Sequence, residues 1–180
     1  MPNLALALEL APDIAGNAHF VGMHGSIHRG HGPDSPPVAE TNVVRNPQDL
    51  AKVLAAPWLS RTITPLDTCG LVRLGGPNYQ RLLADAADPI LAALFANYRC
   101  WRDVHETFRG DPAQASSILY DTVAVHLAAS REFLNVEPMR LRVTDDGFTR
   151  PDPSGSPVDV AISWNDLAGF NRHLVDVLLG

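Results

Sequence analysis

The sequence predicts an α/β protein, a layered open sheet with flanking helices, and three observations predict it. Two short runs, HFVGM (His19 to Met23) and RTITPL (Arg61 to Leu66), are apolar or β-branched and have the length of buried strands. Amphipathic stretches of helical period follow each of them, QDLAKVLAA after the first and the segment from about Asn78 to Arg102 after the second. Near the end the period drops to two, in MRLRVTDDG and VDVAIS. Segments that alternate in this way pack helices on a sheet. At 180 residues, 46% hydrophobic and 19% charged, the chain is expected to form one domain over residues 1–180 with its own core.

Each element follows from its local chemistry. The chain opens MPNLALALEL, where Leu4, Leu6, Leu8 and Leu10 alternate with other residues, but Ala5 and Ala7 are strong helix formers and Asn3 is a good N-cap. A short, mostly buried helix is expected, broken at Pro12. Such a helix needs something to pack on and no strand precedes it, so the beginning reads as though a segment were missing. After HFVGM comes HGSIHRGHGPDSPPV, a long Gly-, Pro-, Ser- and His-rich loop of the kind that is either functional or disordered. Asn46 then precedes Pro47, an N-cap followed by Pro at the first helical position, with Leu50, Val53 and Leu54 as the apolar face and Pro57 as the stop. RTITPL supplies the second strand.

From Asn78 to Arg102, Leu82, Leu83, Ala86, Ile90, Leu91, Leu94 and Tyr98 share one broad face, and Pro89 predicts a kink or two consecutive helices. A second helical stretch is expected from about Ala113 to Phe133. MRLRVTDDG and VDVAIS, with TRPDPSGSP as the turn between them, predict a hairpin-like pair or two strands beside the main sheet. Asn165 or Asp166 caps a last amphipathic helix ending at Gly180.

Composition excludes several functions. The net charge of −6 repels polyanions and the 14 Lys and Arg residues are scattered, so there is no footprint for nucleic acid and a small or neutral ligand is expected instead. No apolar run reaches the roughly 18 residues of a membrane span, and the first residues lack the pattern of a signal peptide, which predicts a cytoplasmic protein. Cys69 and Cys100 have no CxxC spacing and read as reduced thiols. GxGxxG, GxSxG, P-loop and HExxH patterns are missing from the sequence.

In open α/β sheets ligands sit beyond the carboxyl ends of the strands, so the loops His24 to Thr41 and Asp67 to Gly76 are where chemistry is expected. In PVAETN, Glu40 and Asn42 point the same way if the backbone is extended, and such a pair can bond neighbouring hydroxyls as a sugar requires; the alternative, which spacing alone favours, is ordinary capping of the Pro47 helix and a solvated turn. Asp121 lies in the apolar stretch ILYDTVAV, where a carboxylate is costly to bury unless a cation or a sugar hydroxyl pairs with it, or unless it simply caps a helix starting near Thr122. His24, His28 and His31 fall within eight residues and are either zinc ligands or loop residues, one of which could reach a ligand. Asp103, His105 and Glu106 read as the exposed face of a helix.

Taken in order, several stretches resemble the inosine–uridine preferring nucleoside hydrolases. PNLALALELAPDI resembles that family's P-x-T-N-L-A-x-A-L segment, and FVGMHGS its strand ending in Met-Gly-Gly. PDSPPVAETNVVRNPQDLAKVL resembles its Asn-x-x-x-x-x-Glu-Phe-Asn loop and the D-P-E-A-A helix after it. TITPLDTC resembles the strand ending in Leu-Asp-Val-Thr, and LYDTVAV resembles His-Asp-Pro-Leu-Ala-Val. The resemblance implies a partial nucleoside-hydrolase-like domain, the C-terminal portion of a larger α/β domain whose first half carries a D-x-D-x-x-x-D-D motif that is absent here.

It also implies chemistry: hydrolysis of the N-glycosidic bond of ribonucleosides, with calcium binding the ribose hydroxyls and activating a water. By resemblance, Asp121 would bind metal and ribose, Glu40 and Asn42 would hold ribose hydroxyls, and Asp34 stands where the family has a ribose-binding Asn. Tyr120 stands in place of a His that protonates the departing base, Thr41 in place of a Phe, and Pro2 in place of a Thr whose carbonyl ligates calcium. One carboxylate is few for an ion that takes six to eight oxygens. Two functions follow: a hydrolase completed by an N-terminal fragment that brings the missing aspartates, or a catalytically inactive, self-associating binding protein. A homo-oligomer is expected, as is marginal stability from apolar surface left uncovered.

Overall fold

The computed structural model describes residues 1–32, 34–104, 111 and 113–180, with the side chains of 103 and 104 left out. Asp103, as a side chain, and His105 and Glu106 therefore lie outside the described residues. In chain order the elements begin with α1 (Pro2–Leu10), a 3-10 helix (Pro12–Asn17), β1 (His19–Met23), α2 (Thr41–Val44), α3 (Pro47–Ala55), β2 (Ser60–Thr64) and α4 (Leu66–Cys69). They continue with β3 (Arg73–Gly75), α5 (Gly76–Ala84), α6 (Pro89–Val104), β4 (Ala115–Ile118) and α7 (Tyr120–Leu127). The last are β5 (Leu134–Val143), β6 (Thr149–Pro151), β7 (Ser156–Trp164) and α8 (Leu167–Leu179). Contacts divide the chain into two compact units, Met1–Leu71 with Tyr120–Asn165, and Val72–Leu119 with Asp166–Gly180.

The first unit carries the sheet, whose order among the described residues is β1-β2-β7-β5-β6. β1, β2 and β7 run parallel, while β5 pairs antiparallel with both β7 and β6. The α/β expectation holds, with a parallel half and an antiparallel half. β-branched Thr62, Ile63 and Thr64 put β2 in the middle of the parallel half, where all three are buried. α1 and α3 cover one face: Ala5, Leu8, Leu50, Val53 and Leu54 meet Phe20, Trp58, Ile63 and Val160 in one core. Trp58 lies 5.7 Å from the Phe20 ring and donates its indole N–H to the Val53 carbonyl at 2.7 Å, which removes the cost of burying that donor. α7 packs against β1 and α4.

The first helix departs from its predicted burial. Ala5 and Leu8 are buried, but Leu6 is 53% and Leu10 79% exposed. At about 100° per residue, leucines two apart cannot share a face: Leu4 and Leu8 fall together and Leu6 and Leu10 fall opposite. Met1, not Asn3, is the N-cap. Asn46 does occupy the N-cap of α3, though its side chain makes no capping bond, and Leu50, Val53 and Leu54 are all buried as predicted.

The expected helix from Ala113 to Phe133 is wrong at both ends. Ala115–Ile118 is β4, since it pairs with β3: Ser116 Oγ accepts the Leu74 N–H at 2.9 Å and its carbonyl accepts from Arg73 Nε at 3.0 Å. The helix stops at Leu127, and Phe133, at φ 71°, makes the turn into β5. β5 starts at Leu134, ahead of the predicted MRLRV, and the predicted turn contains β6 before Asp152–Gly155 closes onto β7.

In the second unit the Pro89 signal resolves as two helices. Asp88 Oδ1 accepts the N–H groups of Ile90 at 2.8 Å and Leu91 at 3.2 Å and so opens α6. Leu82, Leu91 and Phe95 join Leu74, Tyr79 and Val175 in a separate core, whereas Ile90 and Leu94 face out. The Asp166 side chain, of the two candidates, caps α8 through Gly169 N–H.

Candidate active site

β1 and β2 end side by side, Met23 opposite Thr64, and the parallel ladder continues through His24 N–H to the Thr64 carbonyl at 3.3 Å. The long loop that leaves this point is ordered by buried polar groups. Gly25 bonds both ways: its carbonyl accepts the Leu66 N–H at 2.9 Å, and its N–H donates to Glu40 Oε2 at 3.3 Å. Gly25 is obligatory, because its φ of +86° is left-handed and a Cβ there would sit 2.8 Å from Thr149 Oγ1. Asp67, 6% exposed in the first turn of α4, accepts the consecutive N–H groups of Ile27 at 2.9 Å and His28 at 2.8 Å. Ser26 Oγ accepts from Val38 N–H at 3.0 Å, tying the two arms of the loop together.

Glu40 is 3% exposed and caps α2, with Oε1 accepting the Asn42 N–H at 2.8 Å. The backbone is therefore helical at Asn42, not extended. The two side chains still converge on one place, because Asn42 Nδ2 reaches the Met23 carbonyl at 3.3 Å while Glu40 holds Gly25. Burial pushes the Glu40 carboxyl up, against the lowering effect of the Asn42 and Gly25 N–H groups and of His31. Each carboxylate oxygen keeps a second lone pair for a ligand hydroxyl.

Tyr120 and Asp121 form the first turn of α7. Asp121 is exposed, so the expected buried carboxylate is corrected: its apolar neighbours Val123 and Leu127 point inward on a helix whose first turn turns Asp121 out. Burial pushes the Cys69 thiol up against a lowering hydrogen bond with Thr64, and Glu40, Asp121 and Asp67 push it further up; α7, which carries Asp121, packs on α4 and β1. Tyr120 is half-buried, and burial, then Cys69 and Glu40, push its phenol up and keep it a proton donor at neutral pH. Its Oη lies 3.4 Å from His31 Nδ1.

Asp34 stays outside this group: it is exposed, in a turn closed by Gly30 N–H to the Ser35 carbonyl at 3.1 Å, and its carboxylate makes no bond among the described residues. The three loop imidazoles do not gather. His24 is 6% exposed, its ring lies against Gly22, its Nδ1 has no partner among the described residues, and burial lowers its pKa to about 4. His28 is exposed and His31 goes to Tyr120. Among the described residues no three His, Cys, Asp or Glu side chains group to hold a metal ion. Calcium thus finds one available carboxylate, Asp121, and the residues present do not make up its shell of six to eight oxygens. The residue that sequence reasoning missed is Asp67. A buried Asp at a strand end followed by Thr-Cys was visible in TITPLDTC, but nothing local told that its partners lay forty residues upstream.

The family described as inosine-uridine preferring nucleoside hydrolase matches residues 1–166 of the chain. Solved structures with the same fold include an inosine-uridine preferring nucleoside hydrolase from Bacillus anthracis, at 19% identity and TM-score 0.69 over 98% of this chain and 57% of that one. A purine-preferring ribonucleoside hydrolase from Gardnerella vaginalis aligns at 20% identity and TM-score 0.74, over 98% and 58% of the two chains. A plant nucleoside hydrolase aligns at 18% identity and TM-score 0.69, over 98% and 57%. The chain thus spans well under two thirds of the length of these structures, and at such identities the likeness is one of fold. No curated protein matches the chain.

Proposed function

The chain belongs to the inosine-uridine preferring nucleoside hydrolase family, and from that premise we propose that it supplies the sugar-holding face of an enzyme that hydrolyses the N-glycosidic bond of ribonucleosides. The observation that carries the reading is that Glu40 and Asn42 make their bonds at the carboxyl end of β1 while α7, packed on β1 and α4, carries Tyr120 and Asp121 in its first turn. Glu40, buried, and Asn42, exposed at the end of β1, bond ribose hydroxyls. Asp121, on the solvent side, is the carboxylate available to both ribose and a cation. The Tyr120 phenol donates to the departing base, in the role general acids play when a leaving group needs a proton. Asp34 joins only if a bound sugar draws its turn inward.

Calcium belongs to this proposal as a requirement the described residues do not meet, so no step is drawn through it; its remaining oxygens come from protein outside these 180 residues. The test is ribose release from inosine and uridine with calcium and with chelator, by the chain alone and with a fragment carrying the D-x-D-x-x-x-D-D motif. Release only on complementation, lost with chelator and with Asp121→Asn, is the expected result. Chelator-resistant release by the chain alone, unchanged in Asp121→Asn, overturns it.

A second reading, a non-catalytic self-associating protein, is favoured by one observation. β1 is an edge strand among the described residues, and Leu6 and Leu10 of the neighbouring α1 are exposed. A concentration-dependent dimer in sedimentation, with no release on complementation, selects this reading.

A further inference from the structure

Within the site the polar groups are graded by depth. Glu40 is buried beside the end of β1 and Tyr120 is half-buried, whereas Asn42, which bonds the last strand carbonyl, and His31 stand at the rim. The Tyr120 and His31 rings meet edge to face, 6.2 Å between centroids and 90° between planes, with Oη 3.4 Å from Nδ1. That distance is long for an O–H···N bond, and His31 Nε2 has no partner among the described residues. Tyr120 opens α7, which packs against β1, the strand at whose end Glu40 and Asn42 make their bonds. A ligand that satisfies all of it carries hydroxyls at one end and a planar heteroaromatic ring at the other. Hydroxyls match the carboxylate and amide, and a heteroaromatic ring matches two aromatic side chains that each donate or accept.

We propose that His31, held against Tyr120, is the specificity-determining residue for the base half of the ligand, packing on the ring and bonding its edge through Nε2. The inference rests on the ribonucleoside reading above and assigns to the long loop a task separate from holding the sugar. His31 sits in that loop through the Ser35 Oγ bond to its own carbonyl and the Gly30–Ser35 bond beside it. The loop is in turn fixed by Asp67, Glu40 and Ser26, so the imidazole is delivered by an ordered backbone.

The test is calorimetric titration of the full 180-residue chain, in calcium and together with the fragment carrying the D-x-D-x-x-x-D-D motif, with inosine and ribose, for the wild type, His31→Ala, His31→Gln and Tyr120→Phe. His31→Ala is expected to weaken inosine by roughly 5- to 150-fold, the range for removing a side chain on which a base stacks, and to leave ribose unchanged. His31→Gln, which keeps a donor and loses the ring, is expected to behave like His31→Ala for inosine. Tyr120→Phe, which keeps the ring and loses only Oη, is expected to lose less. Inosine binding no tighter than ribose in the wild type, or equal losses for inosine and ribose in His31→Ala, overturns the assignment and leaves the sugar reading standing. Failure of the wild type to bind ribose or inosine even with the fragment present overturns the ribonucleoside reading, and the base subsite with it.

Discussion

Replacing Asp67 by Ala tests whether a single buried carboxylate holds the site loop in shape. Its two oxygens accept consecutive N–H groups, of Ile27 at 2.9 Å and of His28 at 2.8 Å, and both bonds are charge-assisted. The two are not equivalent. Ile27 is 6% exposed, so its N–H, once deserted, stays in a dry place and costs about 1–3 kcal/mol, whereas exposed His28 can turn its N–H to water. The lost net bonding and the stranded donor together come to about 2–4 kcal/mol, a large share of the roughly 5–15 kcal/mol that holds a typical domain. Urea unfolding of the wild type and of Asp67→Ala gives that difference directly from the midpoints at constant slope. Limited proteolysis of residues 24–41 should accelerate in parallel. A stability loss under about 1 kcal/mol with an unchanged cleavage rate would refute the account, since the loop would then be held by the remaining bonds alone.

Other outcomes follow from the same geometry. His24 has a folded pKa of about 4 against 6.5 ordinarily, so between those values the folded state binds fewer protons than the unfolded one and stability falls as pH is lowered through that window, by ~3 kcal/mol at most; urea midpoints at several pH values should show this fall in the wild type and a flatter profile in His24→Gln. Glu40 works the other way, because its raised folded pKa means that stability is lost as pH rises from 4.5 to the elevated value, and Glu40→Gln should remove that component while also weakening sugar binding. If residues 1–180 form one domain, as we propose, a chain retaining only Trp58, in the first unit, and one retaining only Trp101, in the second, should report the same thermal midpoint; separate midpoints would mean two domains.

Much of the fold was legible because its signals are local. Pro after Asn46, β-branching in RTITPL and period two in VDVAIS each act within a few residues, and α3, β2 and β7 appear where those signals stand. β4 was not legible: ASSI becomes a strand because Arg73–Gly75 offers it an edge, and that partner is forty residues away. The exposure of Leu6 and Leu10 could have been read from the helical angle between alternate leucines, and the exposure of Asp121 from its place in the first turn of an amphipathic helix. At the site, Glu40 and Asn42 were identified, but from an extended backbone that is helical at Asn42. Asp67 escaped because its importance lies in what buries it, and burial is a property of the assembled sheet.

The pairing of β2 has a consequence for the order in which the protein can be made. Thr62 lies beside Asp159, so the strand in the parallel half receives its second neighbour only when the chain is nearly finished. At about 5–20 residues per second of synthesis, the roughly hundred residues between them take ~5–20 s, during which β1 and β2 have emerged as a pair with one edge of β2 unfilled. Val158 and Val160 of β7 belong to the core that buries Ile63, and until they arrive that core is incomplete. A nascent chain arrested before residue 156 should therefore be the form that chaperones retain, and release should coincide with the emergence of β7.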